Sequence, residues 1–162
     1  MRVGIGYDSH RFDPSREMVL GGIVIPDSPG LAGHSDGDAL AHAIIDALLG
    51  AAALGDVGGH FSPGRDEWKD ADSMDLLNDS VELMEEAGFT LVNVDAVVVC
   101  ESPKIGPWAE AIRSRLAKVL GVTPDHVSVK GKTNEGMGWI GKGEGLAVHA
   151  VALVERSNPG TS

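Results

Sequence analysis

Residues 2–10 read RVGIGYDSH, a short apolar segment that ends in a carboxylate and an imidazole two positions apart. The apolar residues and their polar end predict a β-strand, loosened by Gly4 and Gly6. Because residues i and i+2 of a strand point to the same face, Asp8 and His10 should stand side by side, with Cα atoms roughly 6–7 Å apart. That arrangement suits two ligands of one metal ion, and it equally suits an ion pair at the end of an ordinary strand.

Length and charge restrict the classes of protein to which the chain can belong. Its 162 residues suffice for one domain with a real core, which we expect at 1–156, followed by a flexible tail at 157–162. A net charge of −11 argues against nucleic acid and anionic membranes as partners. A small anionic ligand stays compatible if a metal, a few lysines or helix N-termini supply positive potential.

Cysteine content and the N-terminal sequence indicate the compartment. The single cysteine, Cys100, cannot form an intrachain disulfide. No signal or transit peptide precedes the first strand, and no apolar run is long enough to span a bilayer. We therefore expect a cytoplasmic protein.

Periodicity and turn residues predict a strand, a hairpin, two helices, a strand, a helix and two final strands. The strands are expected at 2–8, 90–101, 126–132 and 145–155, the hairpin at 18–27, and the helices at 35–56, 71–88 and 103–121. Segment 58–70 is predicted to be a loop. This order favours an α+β fold, a single-domain sandwich in which helices cover one face of a mixed β-sheet. The helix at 35–56 is apolar on nearly every side, which indicates burial or contact with a neighbouring subunit.

His42 lies inside this apolar helix, where a histidine satisfied within the core is the ordinary alternative to a metal ligand. Asp38 and Asp46 precede and follow it by four residues, on the same helix face. A carboxylate that accepts the second ring N–H fixes the tautomer of a metal-bound histidine, which makes both aspartates candidates for that role. With Asp8 and His10, His42 would complete an Asp-His-His set suited to catalytic zinc or to non-haem iron(II).

Two further segments have both an ordinary and a functional interpretation. His34 and Ser35 precede the helix, where they form either a simple cap or an anion site at the positive end of the helix dipole. The glycine-rich segment 130–145 carries lysines and Thr133, a weak phosphate motif without P-loop spacing, or else a flexible surface hairpin. Glu135 is either part of a surface ion pair or a ligand for a hard cation.

Several stretches, taken together and in order, resemble one family, the 2-C-methyl-D-erythritol 2,4-cyclodiphosphate synthases. They are GIGYDSHRF at 4–12, GHSDGDALAHAIIDALLGAAALGDVGGHF at 33–61, WKDADS at 68–73, ESPK at 101–104 and TNEGMGWIGKGEGLAVHAVAL at 133–153. The resemblance implies a cyclodiphosphate synthase domain, a phosphorus–oxygen lyase of the non-mevalonate isoprenoid pathway. Its reaction would convert 4-diphosphocytidyl-2-C-methyl-D-erythritol 2-phosphate into 2-C-methyl-D-erythritol 2,4-cyclodiphosphate, with release of CMP. The resemblance also implies a homotrimer with active sites between subunits and an isoprenoid phosphate in its central cavity.

The same resemblance implies roles for individual residues. Zinc would bind to Asp8, His10 and His42, and magnesium or manganese to Glu135. His34 and Thr133 would be catalytic, steadying the transferring phosphates in the transition state. The implied substrate-binding residues are Asp8, His10, His34, Ser35, Asp56, Val57, Gly58, Phe61, Ser62, Pro63, Gly64, Arg65, Cys100, Glu101, Ser102, Pro103, Lys104, Ile105, Gly106, Gly131, Lys132, Thr133, Asn134, Glu135, Trp139 and Lys142.

Within that set, the resemblance assigns parts of the substrate to particular segments. Ser35 would hold the 2-phosphate, and residues 56–58 and 61–65 would surround the methylerythritol. The cytidine would lie between 100–106 and 131–133, held largely by backbone. Trp139 and Lys142 would face the central cavity of the trimer.

Three positions depart from the family pattern. The acidic Pro-Asp-x-Asp run that usually follows the family's phenylalanine is replaced by residues 62–65, which read SPGR and end in Arg65. Lys142 stands where arginine is usual, and a lysine cannot make the bidentate fork that arginine offers a phosphate. Trp139 stands where phenylalanine is more familiar. A phosphate in the central cavity would therefore be held less specifically.

Three other functions are compatible with parts of the pattern. A zinc phosphohydrolase would use a metal-bound water at the same ligands and release CMP without a cyclic product. A non-haem iron oxygenase fits the ligands but not a helix-rich chain. A non-catalytic trimer could store metal or sense an isoprenoid phosphate, although it would not need His34, Thr133 and Glu135.

Overall fold

A computed structural model of the protein describes residues 1–62 and 71–157. Within these ranges the chain forms five strands, five α-helices and two short 3₁₀ segments. The elements are β1 Arg2–Leu20, β2 Ile23–Leu31, α1 Ala39–Ala52, α2 Val57–His60, α3 Ser73–Glu86, β3 Phe89–Val99, a 3₁₀ turn Gly106–Trp108, α4 Ala109–Leu120, a 3₁₀ turn Pro124–His126, β4 Val127–Lys132, α5 Gly138–Gly141 and β5 Gly145–Arg156.

The strands form one mixed sheet in the order β2-β1-β5-β3-β4. Neighbouring strands are antiparallel except for β3 and β4, which run parallel. Helices α1, α3 and α4 bury their apolar faces in one core with the inner face of this sheet. The predicted α+β fold, with a mixed sheet in a single domain, is confirmed.

Helix α1 lies at the centre of the core, directly on β1. Its apolar side chains from Ala39 to Leu49 are fully buried within a single chain. The close approach requires glycine on the strand, because a Cβ at Gly4 would stand 2.0 Å from the carbonyl oxygen of Ala47. Packing inside one chain therefore explains why this helix is apolar on all sides, and contact with a neighbouring subunit is not needed for it.

Several predicted boundaries were wrong. The first strand does not end near Asp8 but continues to Leu20, through shifts in its register with β2, before the chain turns at Gly21 and Gly22. Helix α1 begins at Ala39 rather than near Ser35, because Asp38 is the residue that caps it. Short helices α2 and α5 occupy parts of the predicted loop and of the glycine-rich segment.

Two expectations fall partly outside the described residues. Pro63, Gly64 and Arg65 lie there, as do the last five residues of the predicted tail. Ser157, by contrast, is held against the sheet. Its N–H donates to the carbonyl of Gly88 at 2.9 Å, and its hydroxyl lies 2.9 Å from that of Thr90. The first residue of the predicted tail is therefore anchored by hydrogen bonds.

The outer face of the sheet remains open along β1 and β5. Val3, Ile5 and Tyr7 are 68%, 72% and 50% exposed, and Val151 beside them is 41% exposed. In β1 these odd-numbered residues alternate with the inward-facing Gly4 and Gly6, as the pleat of a strand requires. None of the helices within 1–62 and 71–157 is both long and apolar enough to cross a membrane.

Candidate active site

Asp8 and His10 on β1 meet His42 on α1 at the edge of the core. The Oδ2 atom of Asp8 lies 2.8 Å from Nε2 of His10 and 3.0 Å from Nδ1 of His42. Among the residues that the structure describes, this is the one group of three or more potential metal ligands whose donor atoms all lie within 4.8 Å of one another. The fold thus brings together the three residues that the sequence singled out.

The two imidazoles keep the carboxyl group of Asp8 ionised. Burial raises the pKa of Asp8, but hydrogen bonds and positive charge from His10 and His42 outweigh it, and the pKa falls to about 2. Burial also works against a charged His10, yet the hydrogen bond and charge of Asp8 raise the pKa of that ring. Asp8 is therefore a carboxylate at neutral pH, ready to accept a cation.

The outer ring nitrogens are held by other groups. Nδ1 of His10 faces the carbonyl oxygen of Ala32, which can only accept, so Nδ1 carries the proton. Nε2 of His42 lies 3.1 Å from the hydroxyl of Ser35 and 3.0 Å from that of Ser73. The opposite nitrogens face Asp8, and a bound metal would take the place of the protons that they share with its carboxylate. One carboxylate and two such imidazoles fit a catalytic zinc ion.

The two aspartates predicted to orient His42 have other partners. Both carboxylate oxygens of Asp38 accept backbone N–H groups, from Gly21 and Ala41 at 3.0 Å and from Gly22 at 2.8 Å. Asp38 therefore caps α1 and fastens it to the β1–β2 turn, and its prediction as a partner of the His42 ring was wrong.

Asp46 lies in the same cavity as the cluster, but its Oδ1 accepts the N–H of Val57 at 2.8 Å. Burial raises its pKa, and the charges of Asp56 and Asp8 add to that effect. Asp46 therefore fixes the start of α2, while the hydrogen bonds of the His42 ring go to Asp8, Ser35 and Ser73. The predicted contact with His42 is not formed.

The cluster opens into a cavity of about 220 Å³. Its lining comprises Asp8, His10, His34, Ser35, His42, Asp46, Val57, Gly58, Phe61 and Leu76. Most of the residues expected around the metal and the methylerythritol thus share one space. Asp56 contributes indirectly, because its Oδ1 caps α2 by accepting the N–H of Gly59 at 2.8 Å.

The segment that carries His34 is held by an arginine that sequence reasoning did not identify. Nη1 of Arg16 donates to the carbonyl of Gly33 at 2.6 Å, and Nη2 donates to the carbonyl of Ser35. Since the two carbonyls flank His34, the planar guanidinium fixes the backbone on both sides of it. His34 itself is exposed at the mouth of the cavity.

A second cavity, of about 270 Å³, lies where the parallel strands β3 and β4 end. It is lined by Cys100, Glu101, Pro103, Lys104, Ile105, Gly106, Gly131, Lys132 and Thr133. These residues belong to the two segments implied for cytidine, although Ser102 is not in the lining. The carboxyl ends of adjacent parallel strands are a usual place for a ligand. The two cavities share no lining residue.

Glu101 organises the loop that leaves the second cavity. Its Oε1 accepts the N–H of Asn134 at 2.9 Å and that of Gly136 at 3.3 Å. Glu135, between them, has φ of 52°, a left-handed conformation that an ordinary residue adopts only when its surroundings impose it. The hydroxyl of Thr133 donates to Oε1 of Glu135 at 3.1 Å. Glu101 thus positions the pair Thr133 and Glu135.

A third cavity, of about 450 Å³, lies beside the cluster of Asp8, His10 and His42. It is lined by Ser9, His10, Arg11, Trp139 and Glu144. Trp139 is 41% exposed, and Lys142 is exposed close by in sequence without being part of this lining. Trp139 and Lys142 are thus both accessible in a single chain.

Fold and site together define an α+β domain that carries a candidate divalent-metal site beside cavities of small-molecule size. The sequence model of the YgbB family matches residues 1–155, and the chain belongs to that family. A relative from Symbiobacterium thermophilum, named 2-C-methyl-D-erythritol 2,4-cyclodiphosphate synthase, is 54% identical over 95% of this chain and 98% of its own length.

Solved structures are similar over nearly the whole chain. A 2-C-methyl-D-erythritol-2,4-cyclodiphosphate synthase described as a CDP-bound form superposes with a TM-score of 0.87 and 34% identity, over 95% of this chain and all of the other. The bifunctional IspDF of Campylobacter jejuni gives a TM-score of 0.94 and 38% identity over 97% of this chain. This chain spans 42% of the length of that bifunctional protein.

Proposed function

We propose that this protein is a metal-dependent 2-C-methyl-D-erythritol 2,4-cyclodiphosphate synthase. It converts 4-diphosphocytidyl-2-C-methyl-D-erythritol 2-phosphate into the cyclic diphosphate with release of CMP, in the non-mevalonate route to isoprenoids. The observation that carries the proposal is the convergence of Asp8, His10 and His42 on one point, in a chain about half identical to proteins of that name. Residues 1–156 form the synthase domain.

The reaction is an intramolecular phosphoryl transfer. An oxygen of the 2-phosphate attacks the β-phosphorus of the diphosphate, the bond from that phosphorus to the bridging oxygen breaks, and CMP leaves with that oxygen. Such a transfer needs alignment and charge stabilisation more than covalent help from a side chain. The reaction therefore needs no side-chain nucleophile.

The chain's own residues would supply that alignment. Residues 100–106 and 131–133 hold the cytidine at the ends of β3 and β4, while Val57, Gly58 and Phe61 enclose the methylerythritol. Ser35 holds the 2-phosphate, and His34 and Thr133 donate hydrogen bonds to the transferring phosphates. When bound, zinc at Asp8, His10 and His42 and magnesium or manganese at Glu135 would neutralise the charge of the diphosphate.

We also propose that the protein forms a homotrimer in which neighbouring subunits share active sites. Its support is the location of the proposed metal ligands and of the cytidine segments in cavities without common residues, so that a neighbour could bring the two kinds of cavity together. The exposed apolar strip of Val3, Ile5, Tyr7 and Val151 offers a surface for such association. We further propose a cytoplasmic location, and an isoprenoid phosphate in the central cavity near Trp139 and Lys142.

Phosphorus NMR tests the proposed reaction directly. The protein is incubated with the cytidine substrate, zinc and magnesium, and the products are followed by their phosphorus signals. We expect CMP and a cyclic diphosphate to appear in equal amounts. CMP together with an open-chain phosphate would instead identify a phosphohydrolase and overturn the proposal.

A matched pair of variants links the reaction to the metal ligands. His42→Ala should lose both bound zinc and turnover while circular dichroism shows an unchanged fold. Ser9→Ala alters the exposed residue between Asp8 and His10, and should retain zinc. Full zinc occupancy in His42→Ala, measured by metal analysis after dialysis, would contradict the assigned ligands.

A further inference from the structure

Ser73 connects the ring of His42 to a carboxylate elsewhere in the chain. Its hydroxyl lies 3.0 Å from Nε2 of His42 and 2.5 Å from Oδ1 of Asp36. The second oxygen of Asp36, Oδ2, accepts the backbone N–H of Ser73 at 3.0 Å. Ser73 is fully buried, and Ser35, whose hydroxyl also contacts the ring, is 6% exposed. Water therefore has little access to this group of side chains.

The direction of each hydrogen bond follows from the groups involved. An ionised carboxylate only accepts, so the Ser73 hydroxyl must donate its single proton to Asp36. The oxygen of that hydroxyl can then only accept from His42, which requires the proton of the neutral ring to be on Nε2. With Nε2 protonated by this chain of hydrogen bonds, the position for a metal is Nδ1, which lies 3.0 Å from Oδ2 of Asp8 and whose proton a bound metal would replace.

We propose that Asp36, acting through Ser73, positions His42 and fixes the tautomer in which Nδ1 is free to bind the metal. Asp36 and Ser73 are positioning residues, and the inference rests on the proposed function because it presumes zinc at Asp8, His10 and His42. Asp36 does here what the sequence assigned to Asp38 and Asp46. It acts from the loop before α1 and through a serine on another helix.

The experiment must distinguish this positioning role of Asp36 from a purely structural one. Asp36 also joins the start of α3 to the segment before α1, because its N–H donates to the carbonyl of Ala71 at 3.3 Å. Asp72, at the same helix end, caps α3 by accepting the N–H of Met74 at 2.8 Å. Asp72 stabilises the same helix end through Met74 rather than through the ring of His42, so Asp72→Asn is the matched control.

Zinc affinity and the proton position on His42 are the two measurements. Affinity is measured by competition with a chromophoric chelator, and the ring proton by nitrogen-15 NMR of histidine-labelled, zinc-loaded protein. In Asp36→Asn and Ser73→Ala, we expect affinity to fall by about ten- to a hundredfold, as for other partners of metal-bound histidines. The Nε2 proton signal of His42 should broaden or disappear in both. Asp72→Asn should lower the melting temperature and leave zinc affinity and the signal unchanged.

Two variants of equal shape isolate the hydroxyl. Ser73→Thr and Ser73→Val add similar bulk at a fully buried position, but only the threonine retains a donor to Asp36 and an acceptor for His42. Threonine should bind zinc at least tenfold more tightly than valine. Equal affinity of the two, or an unchanged affinity and ring proton in Asp36→Asn, would overturn the proposal. Failure of the unsubstituted protein to bind zinc, or equal binding by His42→Ala, would instead reject the proposed function.

Discussion

Gly6 of β1 lies against Ala43 of α1 so closely that a Cβ built on the glycine would stand 1.8 Å from the carbonyl oxygen of Ala43. No side chain can occupy that space, and the obstacle is helix backbone that cannot rotate away. The strand and the helix that carry the three candidate metal ligands are therefore joined backbone to backbone. Their relative position depends on the glycine two residues before Asp8.

Gly6→Ala should accordingly destabilise the protein far more than its size suggests. We expect a loss of at least about 3 kcal/mol in the free energy of unfolding, since α1 must move off β1. Gly50→Ala is the control, because its Cβ would come no closer than 3.9 Å to Ile5 and alanine favours an exposed helical position by about 1 kcal/mol. Urea unfolding at a fixed protein concentration measures both changes. An unchanged free energy of unfolding in Gly6→Ala would show that α1 can move away from β1 at little cost.

Glu101→Gln should impair turnover while leaving the fold intact. A glutamine oxygen is a weaker acceptor than a carboxylate, so the N–H groups of Asn134 and Gly136 would be held less firmly. Displacement of Glu135 and Thr133 by a fraction of an ångström should lower kcat on the order of tenfold. Steady-state kinetics and thermal unfolding give the comparison, with Glu110→Gln on the exposed side of α4 as control. Equal kcat in the two variants would argue against the positioning role.

Mixed trimers should restore activity that neither parent possesses. His42→Ala damages the proposed metal cavity and Thr133→Ala the proposed cytidine cavity. If each active site draws these cavities from two neighbouring subunits, every mixed trimer keeps one intact site. Equal mixing should then recover about a quarter of normal activity after subunit exchange. Inactivity of the mixture, with exchange verified by mass spectrometry, would place both cavities of a working site in one chain.

Cys100 should resist alkylation until strongly alkaline pH. Burial raises the pKa of its thiol from 9.0 to about 11, with a smaller contribution from Glu101. At pH 8 the folded protein should react with iodoacetamide on the order of a hundredfold more slowly than the unfolded chain, because the thiolate is the nucleophile.

The same shift in the Cys100 pKa has a consequence for stability. A raised pKa means that the folded state holds the proton more tightly than the unfolded state does. The resulting stabilisation is complete below pH 9.0 and is lost as the pH approaches 11. Cys100→Ser should weaken that alkaline dependence of urea unfolding. Rapid alkylation of the folded protein at pH 8 would contradict the assigned pKa.

Local pattern was enough for most of the longer elements and for the cluster of Asp8, His10 and His42. Alternation in β1 placed Asp8 and His10 on one face, and the apolar helix placed His42 in the core, so their meeting required only that α1 pack on β1. The segments 100–106 and 131–133 were proposed from the family resemblance alone, and the structure brings most of their residues into one cavity at the ends of β3 and β4. The start of α1 could not be predicted in this way, since Ser35, Asp36 and Asp38 are all residue types that cap helices. Asp38 is the cap because it also accepts hydrogen bonds from Gly21 and Gly22. These contacts are distant in sequence, so no local pattern could predict them.

The partners that orient His42 could not have been found in the same way. Ser73 lies thirty-one residues after His42 in the sequence. Asp36 acts on His42 only through the hydroxyl of Ser73. A search at helical spacing therefore led to Asp38 and Asp46, because only neighbours along the helix are visible to it. The one available indication was Ser73 itself, at the end of the WKDADS stretch that resembles the family. A serine at a helix start is common, so it does not by itself indicate a partner of His42.

Alternate residues of β1 point to opposite faces of the sheet. This alternation constrains the number of residues before Asp8 more strictly than it constrains their identity. Substitutions at Val3, Ile5 or Tyr7 can remodel the outer face while Asp8 and His10 remain in place. Deletion of one residue before Asp8 would instead turn both ligands outward and press branched side chains against the backbone of α1. The outward-facing residues of this strand can therefore be substituted one at a time during evolution. An insertion or deletion of a single residue there would instead disrupt the site.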